Sequence, residues 1–231
     1  MNRKTLGALL LALAFVLVPA RVSATFHLVK VVEVFAGATT EPTAQFTVNS
    51  GTISLTPSLA QCVVSAVTLT VTDGQLSATS AGKQVGVTFQ GTRVAISIST
   101  FNAACVPTIY RMTFNGPAAL LASDGEPIAV TFTNFIMDVD DHANPTTTHL
   151  SGAIASPCFG GTANLSTPQS LEVPSGRICP TAGLIEVTLP ARMAAITYQP
   201  DSSVDIDDDG NGTTDHTLPN CLDPRLLRCA M

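Results

Sequence analysis

Along most of this chain apolar and polar residues change places every second position, the period of a strand with one buried and one wetted face. Val67, Leu69 and Val71 alternate with Thr68, Thr70 and Thr72, so a single apolar face is set against a threonine face. Val85, Val87 and Phe89 repeat the pattern, and Gln90-Gly91-Thr92 predicts a tight turn into a second strand carrying Val94, Ile96 and Ile98 against Ala95, Ser97 and Ser99. Further strands are predicted over residues 109–114, ending at the turn Asn115-Gly116-Pro117, and over 128–135, 184–189 and 193–198, each bounded by Gly, Pro, Asp or Asn. Helical signals are confined to 223–228, where Asp223 suits a cap and Pro224 a first helical position. Short strands with turn signals at close intervals define an all-β protein, an antiparallel sandwich or a large curved sheet of about a dozen short strands with almost no helix.

The first residues break this pattern. Arg3 and Lys4 precede an apolar run over 6–18, and Val22-Ser23-Ala24 supplies the small residues of a cleavage site, so residues 1–24 are expected to be a signal peptide and the mature chain to begin at Thr25. A cut after Ala20 is the second choice. The apolar run is shorter than the ~20 residues of a membrane-spanning helix, and no later stretch comes closer, so no transmembrane anchor is expected after cleavage. The expected location is secreted or periplasmic, in the cell envelope or beyond it, with an extracellular or envelope partner. Residues 25–231 are expected to form one β-rich domain with a soft boundary at 140–148, where Asn144-Pro145 and three threonines interrupt the apolar pattern. Of 11 Lys+Arg, Arg3, Lys4 and Arg21 leave with the signal, and the 8 that remain face 17 Asp+Glu, a net −9 that disfavours nucleic acid and anionic lipid as partners.

Export changes how the cysteines are read. The count is 6, at Cys62, Cys105, Cys158, Cys179, Cys221 and Cys229, and an oxidising compartment makes disulfides the expectation. Successive hairpins suggest sequential pairs: Cys62 with Cys105, Cys158 with Cys179, Cys221 with Cys229. Zinc is disfavoured, since no C-x-x-C pair occurs.

One segment carries sharp chemistry, Asp205-Ile206-Asp207-Asp208-Asp209-Gly210-Asn211-Gly212-Thr213-Thr214-Asp215. Oxygen ligands at alternate positions followed by a turning glycine are what a hard cation asks of a short loop. Asp205, Asp207 and Asp209 meet that spacing, with the Asn211 carbonyl as the next ligand and Asp215 as the closing carboxylate, so the segment is a candidate calcium loop. The segment resembles the calcium loops of EF-hands, dockerins and thrombospondin repeats. It departs from them at the twelfth position, where His216 stands in place of an acid. On this reading Asp207→Ala leaves the calcium-free protein unharmed, because one repelling charge is lost. The alternative is a solvated hairpin tip. A second acidic group, Asp138, Asp140, Asp141 and His142 with His149 beyond it, is expected to be a solvated loop that adds ligands only if the fold brings it near.

Enzyme signatures are missing: there is no G-x-S-x-G elbow, no H-E-x-x-H helix and no phosphate-cradling glycine loop followed by Lys. Sugar stacking is disfavoured by 0 Trp and 2 Tyr. Asn164-Leu165-Ser166 and Asn211-Gly212-Thr213 match the glycosylation sequon, which matters only in a eukaryotic secretory route. The opening Phe26-His27-Leu28-Val29-Lys30-Val31-Val32-Glu33-Val34-Phe35, together with Ala44-Gln45-Phe46 and Cys179-Pro180-Thr181-Ala182-Gly183, resembles uncharacterised secreted bacterial β-rich proteins. That resemblance implies export and no catalytic residues. The expected function is therefore that of an exported, non-catalytic β-protein, structural or binding, for which calcium is a candidate stabiliser. The alternatives are a calcium-dependent adhesion or ligand-binding module and a secreted hydrolase whose site forms only in three dimensions.

Overall fold

The structure is a computed structural model, which describes residues 31–34, 43–57, 64–80, 83–101, 107–122, 127–157, 160–175, 177, 179–221 and 223. The predicted signal segment, the turn predicted at 224–228 and Cys62, Cys105, Cys158 and Cys229 lie outside them. Alternation resolves into strands β1 (Val31–Val34), β2 (Thr43–Pro57), β3 (Val64–Ser80), β4 (Lys83–Phe89), β5 (Thr92–Phe101), β6 (Pro107–Ala122) and β7 (Ile128–Asp140). They are followed by β8 (Thr146–Ser156), β9 (Gly161–Val173), β10 (Ala182–Leu189), β11 (Arg192–Tyr198), β12 (Val204–Asp207) and β13 (His216–Leu218). All pair antiparallel in one open sheet whose order follows the chain, and no helix occurs among the described residues. The all-β expectation holds, but some strands are long, β3 running for 17 residues and β6 for 16.

Their length comes from two predicted turns that are not turns. Val71 of β3 faces Thr92 and Gly74 faces Phe89, so β4 and β5 lie end to end along β3 as one strand broken at Gln90-Gly91. The expected hairpin at Gln90-Gly91-Thr92 does not form. On the other side β6 pairs with β5 up to Asn115 and with β4 from Ala118, running straight through the expected turn at Asn115-Gly116-Pro117. The break in one strand is closed by its neighbour: Gln90 N donates to the Pro117 carbonyl at 3.3 Å, and the buried Thr92 hydroxyl donates to the same oxygen. Ladder bonds forfeited at a bulge are recovered across it, as burial demands.

The discontinuity crosses the sheet as a crease. Phe114 faces Phe135 while Gly116 faces Phe132, so β7 sets one more residue than β6 into the same interval. Asn134 occupies this bulge at φ 44° and donates its backbone N–H to Asn115 Oδ1 at 2.8 Å. Because side chains alternate with period two, the added residue lets both Phe132 and Phe135 face inward. On the next strand Gly152 lies so close that a Cβ there would stand 2.4 Å from the Asn134 carbonyl oxygen, and its φ of 123° excludes ordinary side chains. Further along, the two residues of β8 between Thr148 and Ser151 are set against four of β9 between Ser166 and Leu171. Thr167 compensates for the lost ladder by accepting the Leu150 N–H at 2.9 Å.

Inward-facing side chains from β4 to β13 form a single apolar cluster, with Leu120, Phe135, Met137 and Leu150 fully buried. Phe114, Phe132 and Phe135 straddle the crease with ring centroids 5.5 to 6.1 Å apart. Each such large side chain contributes roughly 1.5–3 kcal/mol by burial.

The cysteine pairing differs from the sequential one. Cys179 is bonded to Cys221, with Cα atoms 5.6 Å apart, so neither of these two takes the partner expected for it. The four strands β10 to β13 form a meander, which enters and leaves at the same end. Gly183, Tyr198, Val204 and Leu218 are in register across it. The chain just before β10 and just after β13 therefore meets, and the bond ties the whole meander instead of one hairpin. Closing a separation of 42 residues should stabilise by about 4 kcal/mol in the chain-entropy picture.

Candidate functional site

The acidic segment lies between β12 and β13. Val204 and Ile206 point into the core, so Asp205 and Asp207 belong to the other face, and the loop beyond is turned around the Asp207 carboxylate. Asp207 Oδ1 accepts N–H groups of Asp209 at 3.3 Å, Gly210 at 2.7 Å and Asn211 at 3.2 Å, while Oδ2 accepts Gly212 N–H at 2.6 Å. Partial burial works against the charge, yet these backbone donors outweigh it and hold the Asp207 carboxyl below the ordinary carboxylate range. Asp209 Oδ1 accepts Asn211 N–H at 3.1 Å, Asn211 Oδ1 accepts Thr213 N–H at 2.8 Å, and Asp215 Oδ2 accepts Asp208 N–H at 3.0 Å. Arg192, at the start of β11, secures the loop from below by donating to the Asp208 carbonyl at 3.1 Å.

This folding brings together carboxylate oxygens of Asp207, Asp209 and Asp215, all within 4.8 Å of one another. Asp205 does not join them. Its carboxylate, two residues earlier in β12, accepts from Gln199 Nε2 at 2.7 Å and Thr217 Oγ1 at 2.6 Å. The ligand frame therefore starts at Asp207. Counted from there, Asp209 is third, Asn211 fifth, Gly212 sixth and Asp215 ninth, the spacing of an oxygen-ligand loop with its turning glycine. Gly212 has φ 85° and open space where a Cβ would be. The twelfth position becomes Leu218, a core residue, so the bidentate acid of an EF-hand has no counterpart and His216 is not the closing residue. The signal for this frame, Asn211-Gly212 at the fifth and sixth places, was present in the sequence but masked by the extra aspartate upstream. Asp207, Asp209, Asp215, the Asn211 amide oxygen and the Thr213 carbonyl are the groups that would hold a hard cation.

The second acidic group is dispersed. Arg111 grips Asp138 through Nε at 2.7 Å and Nη2 at 2.9 Å, and the contact holds the guanidinium pKa above its ordinary value. Asp140 caps the His142 N–H at 2.9 Å, and Asp141 accepts from the Thr146 hydroxyl at 2.6 Å. None of the three belongs to the cluster of metal-ligating groups found among the described residues. What sequence reasoning missed is a polar row across five strands on the outer face. Ser97 faces Arg111, Arg111 faces Asp138 and Asp138 faces His149, while His149 Nε2 lies 2.7 Å from Ser170 Oγ on β9. A cleft of about 380 Å³ opens along this row. Only strand register reveals it, because its members are spread over more than seventy positions of the chain.

No family model matches this chain, and neither the curated proteins nor the solved structures contain a match.

Proposed function

We propose that this is an exported β-sheet protein that works by binding or as a structural element of the envelope or medium, and that its loop over 207–215 takes up calcium. The convergence of the Asp207, Asp209 and Asp215 carboxylates in a loop already shaped by backbone N–H donors carries this reading. Three carboxylates held together repel one another, and a divalent cation of high coordination number offsets that repulsion while completing its shell with carbonyl oxygen and water. Without a twelfth-position acid the affinity is expected in the range ~10⁻⁴ to 10⁻³ M, that of extracellular modules. A sheet tied by Cys179–Cys221 suits an oxidising compartment. Thermal melts and titration calorimetry in calcium, magnesium and sodium chlorides at matched ionic strength test it. Calcium should raise the melting temperature beyond the other two, and identical curves in all three would leave the segment as a solvated turn.

A further inference from the structure

The pair His149 and Ser170 is independent of the acidic loop. Thr167 Oγ1 accepts the Leu150 N–H at 2.9 Å and lies 3.5 Å from the Leu150 carbonyl oxygen, and His149 Nδ1 is 3.3 Å from the same hydroxyl. In the tautomer that carries its proton on Nδ1, His149 donates to Thr167 Oγ1 while the Thr167 proton points to the Leu150 carbonyl. Nε2 is then an acceptor, and Ser170 Oγ lies 2.7 Å from it. Nucleophile, base and a third group that orients the base are thus in line, the arrangement by which a weak hydroxyl nucleophile is activated.

The fold also explains why Ser170 reaches this position. It sits in the irregular stretch of β9 where four residues, 167–170, are set against two of β8, and such bulges re-aim side chains. Its backbone is held by the next strand, since a Cβ on Gly183 would stand 2.6 Å from the Ser170 carbonyl oxygen. Beside it, the cleft bounded by Arg111, Asp138, Thr147 and His149 is of small-molecule size.

We propose that Ser170 is a nucleophile toward acyl groups carried by small carboxylic esters, with His149 as its general base and Thr167 as the positioning residue that sets the tautomer. In the step, Ser170 Oγ forms a bond to the carbonyl carbon as its proton passes to Nε2. The ester C–O bond then breaks, and the alcohol leaves with that proton. Water, deprotonated by the same nitrogen, releases the acid and restores Ser170. This departs from the non-catalytic expectation, and it stands or falls separately from calcium binding.

The test is covalent labelling of the full chain with an alkyl fluorophosphonate, in which Ser170 Oγ bonds to phosphorus and fluoride leaves, read by peptide mass spectrometry. Ser166, exposed on the same strand, is the internal reference. Ser170 should label at least about tenfold faster than Ser166, and His149→Gln, which keeps a hydrogen-bonding side chain but has no base, should slow it about 100-fold. Thr167→Ser should retain the rate and Thr167→Val should lose it. Equal labelling of Ser170 and Ser166 in the unmodified protein overturns the proposal whether or not the variants fold, and so does a rate unchanged in a folded His149→Gln protein.

Discussion

The dipeptide Asn-Gly occurs at 115–116 and at 211–212, and the two copies do opposite things. At 115–116 it lies inside β6 and the chain runs on; at 211–212 it lies in the loop between β12 and β13 and the chain reverses. In both places the asparagine oxygen accepts a backbone N–H. Asn115 takes it from Asn134 on the neighbouring strand, whereas Asn211 takes it from Thr213, two residues on. Both glycines have positive φ, but the surroundings differ. A Cβ on Gly116 would stand 3.1 Å from the Gly91 carbonyl oxygen, while one on Gly212 would meet nothing within 4 Å. Turn chemistry is thus a local permission that the partners in space accept or override. Where another strand supplies the hydrogen bond the chain continues as a strand beside its neighbour's bulge, and where the chain itself supplies it, it turns.

The largest expected effect breaks the crease. Gly152→Ala sets a methyl against the Asn134 and Phe135 backbone at 2.4 and 2.6 Å, and should cost about 3 kcal/mol or more by chemical denaturation. Asp207→Ala comes next. It removes an acceptor shared by four backbone N–H groups, of which that of Asn211 keeps Asp209, so a loss of about 2 kcal/mol is expected even without calcium, contrary to what relief of charge repulsion predicts. The same variant should change the acid response. Because the folded Asp207 pKa lies below the ordinary value, its contribution is complete above the unfolded carboxylate pKa and is lost as pH falls through the lowered folded value. Acid titrations of Asp207→Ala should accordingly lose less stability over that window. Calcium at ten times its dissociation constant should add about 1.4 kcal/mol, or about 3–6 °C in melting temperature. Gly212→Ala, strained in φ but free of contacts, should cost only about 1 kcal/mol, and an effect as large as that of Gly152→Ala would break the comparison. The smallest effect sharpens the ligand frame: Asp205→Asn should leave the calcium-induced shift unchanged, while Asp209→Asn and Asp215→Asn abolish it.

Period-two alternation was legible because burial on one face of a strand is written residue by residue. The inward set on β10, Ile185, Val187 and Leu189, and that on β11, Ala194, Ile196 and Tyr198, fall where alternation places them. The acidic loop was legible as composition, since oxygen ligands must be close in sequence to share one short turn. Its frame was not, because Asp205 has the right spacing and only Gln199 and Thr217 remove it. The polar row from Ser97 to Ser170 had no sequence signature at all, as nothing local relates residues on five strands.

By itself, then, the sequence determined that this chain is built of β-strands, which side of each strand is buried, and where a dense group of carboxylates would gather, all of them consequences of side-chain period and near-neighbour chemistry. Only the tertiary structure decided that the chain runs on at Gln90-Gly91 and Asn115-Gly116 instead of turning, that Cys179 meets Cys221, and that His149 meets Ser170. Each of these depends on a hydrogen bond, a covalent bond or a close backbone approach between residues distant in the chain, and a partner that far away leaves no mark on the local pattern.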